Sequence, residues 1–336
     1  MSTPPFELND NIINMVAEIN HKLGKLEANI DQKKDLYLRK ASKIKSVNSS
    51  CAIEANTLSE KQVEGIINGK RVIAPPDEII EIKNAYNAYM KMEEYKPYEV
   101  KSFLKAHQYL MEHLIKDAGT FRSGDVAVYD NEKIIHVGAR PQYVYDLVAD
   151  LFAWASESKL NPLIKASVLH YEIETIHPFS DGNGRIGRLW QSVVLYAYNK
   201  LFEWIPTETL VYENQQRYYD AIETSRKNNS STAFIEFMLE MISKTIDLFS
   251  GPKNHLQEVK HEYLKALTKT EAEVLEAMLQ NFKANDAITM EKIREKINKS
   301  NSSIRNYLKK FTEQNILIGL GENKGRTYKF NRDIFK

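Results

Sequence analysis

At 336 residues the chain is long enough to bury a full core and to hold two or three domains. A formal net charge of +1, with 27% charged and 43% apolar residues, gives no electrostatic ground for a nucleic-acid or membrane partner of the whole chain. A single cysteine, Cys51, excludes an internal disulfide, no apolar run has the length of a membrane span, and "MSTPPFELND" lacks a signal peptide's basic and apolar regions. A soluble, cytoplasmic protein with no membrane partner is expected.

Helical signals dominate from the start. Residues 9 to 45 carry apolar positions at three- and four-residue spacing with charges between them, interrupted near Asn29 to Gln32. Ser59 is placed to cap a helix ending near Gly69. After Ala74 to Pro76, "DEIIEIKNAYNAYMKMEEY" reads as a helix, and "YEVKSFLKAHQYLMEHLIKDAG" as another that ends at Gly119.

The exception follows at Phe121 to Pro141. "VAVYDNEKIIHV" alternates around an Asp130-Asn131 turn and predicts a short hairpin inside a helical domain. It is too small for a core of its own, so it is either a flap over a site or a plain connector. Beyond it, "NPLIKASVLHYEIETI" places Leu163, Ala166, Leu169, Ile173 and Ile176 on one stripe of a helix, and "RIGRLWQSVVLYAYNKL" continues as the next.

Between those two helices lies "HPFSDGNGRIGR", His177 to Arg188. It concentrates Gly182, Gly184 and Gly187 in a chain of only 13 glycines. Glycines flanking Asn183 permit backbone conformations in which successive amides turn toward one point, and the following helix adds its positive end. Arg185 and Arg188, three apart in the first turn, share a face and carry the fork that suits phosphate oxygens. Asp181 can hold Mg²⁺ through one oxygen, and His177 can accept a proton at neutral pH. Together they suggest a polyphosphate site with a base beside it; a solvated Gly-Asn-Gly turn is the plain alternative.

These residues resemble the signature of the Fic family, HPFx(D/E)GNGRxxR, at every specified position. The resemblance implies a mainly α Fic-fold helical bundle and a protein adenylyltransferase, moving AMP from ATP to a Ser, Thr or Tyr hydroxyl of a target protein or of itself. It makes His177 the base, Asp181 the Mg²⁺ ligand and Phe179 a buried anchor. The stretch Gly182, Asn183, Gly184, Arg185, Ile186, Gly187 and Arg188 becomes the ATP-binding segment. It casts the hairpin as a target-docking flap, with Ile134, Ile135, His136, Val137 and Gly138 aligning the target by strand-like pairing. "GTFRSG" stands ahead of the flap at the place the family pattern leads one to expect. Tyr218 and Tyr219, in "QQRYYDAI", resemble tyrosines that touch the adenine, although core packing is an equal reading for one of them. A homodimer is also implied.

Upstream, "SCAIEAN" resembles the family's inhibitory helix, (S/T)xxxE(G/N), with Ser50 and Glu54 in place, over about residues 48–56. In the family this glutamate pairs with the second arginine, here Arg188, and removes a donor that the γ-phosphate needs. In some relatives it positions a water that removes AMP from the modified target. Ala55 departs from the pattern, where glycine or asparagine is usual.

The best boundary is Asp247 to His255, with its Gly-Pro break. Beyond it, three helical stretches and "ILIGLGENKGRTYKFN" predict a winged helix-turn-helix. Glu258 to Lys336 holds 16 Lys and Arg against 11 Asp and Glu. On "SNSSIRNYLKK", Ile304, Leu308 and Phe311 would face inward and Arg305, Asn306, Lys309 and Lys310 outward, with Lys324 and Arg326 at the wing. DNA binding is one reading; protein contacts or dimerisation is the other. The expected division is 1–95 N-terminal helices, 96–250 catalytic core and 255–336 winged helix. Two functions compete with AMP transfer: a Fic-type transfer of another phosphate-linked group, and a DNA-binding regulator whose Fic domain senses nucleotide.

Overall fold

A computed structural model of the chain describes residues 3–29, 36–130, 133–250, 267–282, 287–297, 299–314, 316–321 and 326–331. It divides into two compact units, Met1–Asp247 and Leu248–Lys336. In the first, helices α1 (Asp10–Asn29), α2 (Leu36–Ile53), α3 (Glu60–Ile67), α4 (Pro76–Met90) and α5 (Val100–Met111) precede a hairpin of β1 (Ala127–Asp130) and β2 (Lys133–Val137). Then come α6 (Pro141–Glu157), α7 (Pro162–Ile176), α8 (Asn183–Tyr198), α9 (Thr207–Glu213), α10 (Gln215–Lys227) and α11 (Thr232–Ser250).

Local chemistry explains several boundaries. Ser59 and Gln62 form a reciprocal capping box at the start of α3. Proline opens α4, α6 and α7, where its missing N–H costs nothing. Helix α5 ends at Met111, eight residues before the Gly119 expected from its pattern. His113 and Gly119 take positive φ, and the Gly119 N–H donates to His107 Nδ1 at 2.9 Å, turning the chain back along α5.

Helices α7 and α8 form the centre. The expected stripe on α7 is buried, but so are Lys165, Ser167, Val168, His170 and Tyr171, so this helix is enclosed on almost every side. From α8, Trp190 meets Phe103 and Phe152 at ring distances of 5.1 and 5.8 Å. Helix α2 is held on this frame by polar bonds. Ser46 donates to the buried Glu208 at 2.7 Å; Ser192 of α8 and Tyr89 of α4 donate to the other oxygen of the same carboxylate.

The second unit contains helices Lys269–Asn281, Met290–Lys296 and Asn301–Glu313, then antiparallel strands Leu317–Leu320 and Thr327–Phe330. Leu275, Met278, Ile304, Leu308, Phe311 and Phe330 are in its core. No described helix is long and apolar enough to cross a membrane.

Candidate active site

The His177–Arg188 loop joins the ends of α7 and α8. His177 caps α7 in the left-handed conformation, φ 53°, and Gly182 turns the chain into α8 at φ 81°. Asn183 locks the loop, accepting from the Phe179 N–H and donating to the Phe179 carbonyl, both at 2.9 Å. Phe179 is fully buried and stacks on His107 at 3.5 Å. Burial drives His107 down to about 4, so its ring is neutral. Because Nδ1 accepts from Gly119, Nε2 carries the proton and donates to the Asp181 carbonyl at 2.9 Å.

The three glycines have different reasons. A Cβ at Gly182 would lie 2.6 Å from Met111 Sδ, and one at Gly187 would lie 2.9 Å from His170 Cδ2. Only at Gly184 does the space belong to the site: a Cβ there would lie 2.3 Å from Glu54 Oε1. Gly187 therefore permits close packing of α7 on α8, and Ile186 beside it is fully buried in the core. The start of α8 has no side-chain cap, which leaves the backbone donors of its first turn to an external acceptor.

The two arginines are deep and occupied. Arg188 Nη2 donates to Glu54 Oε1 at 2.7 Å and to the Ser50 carbonyl at 3.0 Å, and its Nε donates to Ser50 Oγ at 3.0 Å. Burial works most strongly against its charge, but Glu54, Tyr218 and Glu174 together outweigh it and raise its pKa above the ordinary arginine value. Arg185 Nη1 donates to Glu81 Oε1 at 2.6 Å, and Nη2 donates to Asp181 Oδ1 at 3.0 Å. Its Nε is buried without a hydrogen-bond partner. Asp181 Oδ1 also accepts from the Gly182 N–H at 2.6 Å, while its side chain stays 57% exposed. Arg185 thus orients Asp181 in this arrangement.

Above the loop, a cavity of about 200 Å³ is lined by Glu54, Glu174, His177, Gly184, Arg188, Tyr218 and Tyr219, with His136 and Arg226 at its sides. Tyr218 is 1% exposed, packs against Phe234 and Phe237, and donates to His170 Nε2 at 3.0 Å. Tyr219 is 45% exposed, so of the two tyrosines it is the one with a free ring surface. Burial pushes the Glu174 carboxyl up to about 7 against the pull of Arg188.

The hairpin sits beside His177. Its register runs Ala127↔Val137, Val128↔His136 and then Tyr129↔Ile134, which leaves Ile135 as the extra residue of a bulge. His136 Nε2 donates to the Thr175 carbonyl at 2.8 Å, pinning the strand to α7, and Val137 is 62% exposed. Gly138 permits the closest approach, since a Cβ there would lie 3.1 Å from His177 Cβ.

Sequence reading missed the residue that joins flap to loop. Arg122, 5% exposed, donates to the carbonyls of His177 and Gly124 at 2.7 Å each and to that of Ala139. It lies in "GTFRSG", whose place ahead of the flap was the only signal. Glu81, His107 and Glu174 were also missed, for none belongs to a recognisable pattern, while Asn56 closes the stretch that resembles the inhibitory helix without a role that could be read from it.

In the second unit, Arg305 and Asn306 are exposed and Lys309 has Glu313 at 3.8 Å. Lys310 is paired with Glu271, whose two oxygens it reaches at 2.8 Å, and is only partly exposed. Arg326 lies over the Tyr328 ring at 5.4 Å, and Lys324 lies outside the described residues.

Comparison with known proteins agrees with this geometry. Residues 97–195 match the model of the Fic/DOC family. The chain is 25% identical over 254 residues to protein adenylyltransferase Fic of Aedes aegypti, covering 69% of this chain and 49% of that protein. It is 24% identical over 243 residues to protein adenylyltransferase fic-1 of Caenorhabditis elegans, covering 68% and 46%. It therefore spans about half the length of these curated relatives. A crystal structure of a Fic family protein from Desulfovibrio desulfuricans G20 superposes with a TM-score of 0.71 at 29% identity, over 98% of both chains. The stretch that matches the Fic/DOC family model thus carries the complete signature loop between two buried helices, and the chain resembles a solved Fic family protein over nearly its whole length.

Proposed function

We propose that the protein is a self-inhibited protein adenylyltransferase, transferring AMP from ATP to a Ser, Thr or Tyr hydroxyl of a target protein or of itself. The observation that carries the proposal is the pairing of His177 with a free ring nitrogen at the flap and Arg188 held by Glu54 in one cavity. His177 Nδ1 donates to the Glu174 carbonyl at 3.3 Å, leaving Nε2 as the proton acceptor. Burial lowers this imidazole below its ordinary value, against the opposing effect of that hydrogen bond, so the base is unprotonated at neutral pH. Nε2 takes the proton of the target hydroxyl, its oxygen bonds to the α-phosphorus, and the bond to the bridging oxygen of the β-phosphate breaks, releasing pyrophosphate.

Asp181 fits a Mg²⁺ held jointly with phosphates. One oxygen is fixed by Gly182 and Arg185, the side chain is exposed, and the described residues hold no cluster of three or more metal-binding side chains that would bind a metal by themselves. Such an ion would neutralise charge on the leaving phosphates. The first turn of α8 and Arg188 hold the phosphate chain, and Tyr219, with the hydroxyl end of Tyr218, borders the adenine. The outer edge of β2, Ile134 to Gly138, aligns the target chain. Glu54, with Ser50, withholds Arg188 from the γ-phosphate. The same glutamate can orient a water for AMP removal. We assign 1–95 to the regulatory helices, 96–250 to catalysis and 255–336 to a winged helix, in a cytoplasmic homodimer.

The exposed Arg305, Asn306 and Lys309 on one helix favour a second role for the last unit, contact with DNA phosphates and base edges. Lys310 contributes little to it, being held by Glu271.

The test uses α-³²P-ATP and γ-³²P-ATP in parallel, with Mg²⁺, on unmutated protein, Glu54→Gly, His177→Ala and the double variant. Label from the α position only, raised about 10–100-fold in Glu54→Gly and lost with His177, is the expected result; one charge-assisted hydrogen bond to Arg188 has that weight. Label from the γ position would make the protein a kinase. No label, with ATP still bound, would leave a nucleotide-sensing regulator.

A further inference from the structure

The turn that carries Glu54 is anchored outside its own helix. Helix α2 closes with the Asn56 N–H on the Cys51 carbonyl and the Ala55 N–H on the Ala52 carbonyl, both at 3.1 Å, a Schellman arrangement that puts Ala55 at φ 67°. Glycine is the residue suited to that position; alanine resists it because its Cβ crowds the following carbonyl. The turn therefore needs support from elsewhere; Thr57 gives part of it, its N–H and hydroxyl donating to Glu78 at 2.9 Å each, and Asn56 supplies the buried part. Its side chain is 8% exposed and uses both ends: Oδ1 accepts from the Leu58 N–H at 3.1 Å, and Nδ2 donates to Glu81 Oε2 at 2.7 Å. The other oxygen of Glu81 is the one that holds Arg185.

Both signature arginines are thus tied to one turn. Ser50 and Glu54 reach Arg188 directly, and Asn56 reaches Arg185 through Glu81. Glu54 itself is 31% exposed and makes one hydrogen bond to Arg188, so its reach depends on where the turn sits. Glu81 lies on α4, a fixed part of the frame, and can serve as the reference against which the turn is set.

We propose that Asn56, clasped by Glu81, is a positioning residue for self-inhibition: it holds the Ala55 turn so that Glu54 meets Arg188. The inference rests on the adenylyltransferase reading and names a second determinant of its regulation. Glu54 blocks the arginine; Asn56 sets how often Glu54 is in place. Losing the Asn56 amide frees the turn, Glu54 swings out on its αL hinge, and Arg188 becomes available to phosphate.

The experiment measures α-³²P-ATP incorporation by unmutated protein, Asn56→Ala, Asn56→Asp, Glu54→Gly and Asn56→Ala/Glu54→Gly, alongside ATP affinity by calorimetry and thermal unfolding. Asn56→Ala should raise labelling about tenfold, the weight of one hydrogen bond to a charged group. Asn56→Asp, which sets a second carboxylate against Glu81, should raise it further; being isosteric, it also carries the test if the alanine variant unfolds. Neither effect should persist once Glu54 is glycine. Labelling unchanged by either Asn56 variant, or raised by the same factor in the Glu54→Gly background, overturns the proposal. A role confined to folding would lower the unfolding temperature without this dependence on Glu54. If Glu54→Gly gives no label, the transferase reading fails by itself. ATP affinity then decides on Asn56: tighter binding in Asn56→Ala, cancelled by Glu54→Gly, supports it, and equal affinity sinks it.

Discussion

Two basic stretches of this chain look alike as sequence and end in opposite environments. Arg185 and Arg188 stand three apart at the head of α8, and Arg305 and Lys309 stand four apart on the helix Asn301–Glu313. The first pair is 8% and 3% exposed and bonded to Glu81, Asp181 and Glu54. The second pair is exposed, and Lys309 has a surface glutamate, Glu313, at 3.8 Å. Helical spacing gives both pairs a common direction. Depth comes from what packs over them: α2 and α4 enclose the first pair, while the exposed side chains of the second project into solvent. A buried guanidinium is costly to leave unpaired, whereas a solvated one is nearly neutral until a polyanion arrives.

The comparison can be broken most easily at His177. Its replacement by alanine should cost roughly 10²–10⁴-fold in transfer while leaving thermal unfolding near that of the unmutated protein. Its pH dependence is a sharper check. Burial lowers the folded imidazole below 6.5 and transfer needs the unprotonated ring, so kcat/KM of Glu54→Gly should be flat above that value and fall only at lower pH. An acid limb centred above 6.5 would contradict the assignment of His177 as base.

Next in size is Gly138→Ala. The added Cβ would lie 2.8 Å from Arg122 Nη2 and 3.1 Å from His177 Cβ, lifting the flap off the loop. A loss of roughly tenfold or more in kcat/KM for the target is expected, with ATP affinity nearly unchanged. Equal losses in both would show that the flap supports the nucleotide as well.

At the exposed pair, Arg305→Ala and Lys309→Ala should leave AMP transfer unaltered. Each should flatten the salt dependence of DNA binding by about one phosphate contact in a gel-shift titration. No shift at any salt concentration would leave the last unit to protein contacts. The smallest expected effect is at Ala55. Ala55→Gly should stabilise the protein by about 1 kcal/mol in urea unfolding, because glycine relieves the αL strain at φ 67°.

Much of the site could be read before the fold. The loop's residues are adjacent in sequence, so their local geometry follows from local chemistry: glycine where φ is positive, a helix opening just after it, two forks on one face. The same holds for the α3 capping box and for the hairpin, whose alternation survives one bulge. What could not be read depends on residues far apart in the chain. Arg122 acts on carbonyls up to 55 positions away, and Glu81 on an arginine 104 away. Neither has a neighbour in sequence that hints at its partner. The early end of α5 escaped for a related reason, since the apolar pattern runs on past Met111 while a distant-looking Gly119 folds back onto His107.

By itself, then, the sequence determined the chemical groups and their order: an imidazole, a carboxylate, a glycine-rich turn and two guanidinium forks on one helical turn. Periodicity and capping are short-range properties, and short-range physics suffices for them. Only the tertiary structure decided which of those groups are free. It gave Arg188 to Glu54 and Arg185 to Glu81, put Gly187 and Ile186 to packing α8 into the core, and left Gly184 to face the cavity. Burial removes water as a competitor for each charge, so the partner chosen in the folded chain, rather than the residue type, sets what an arginine is available to bind.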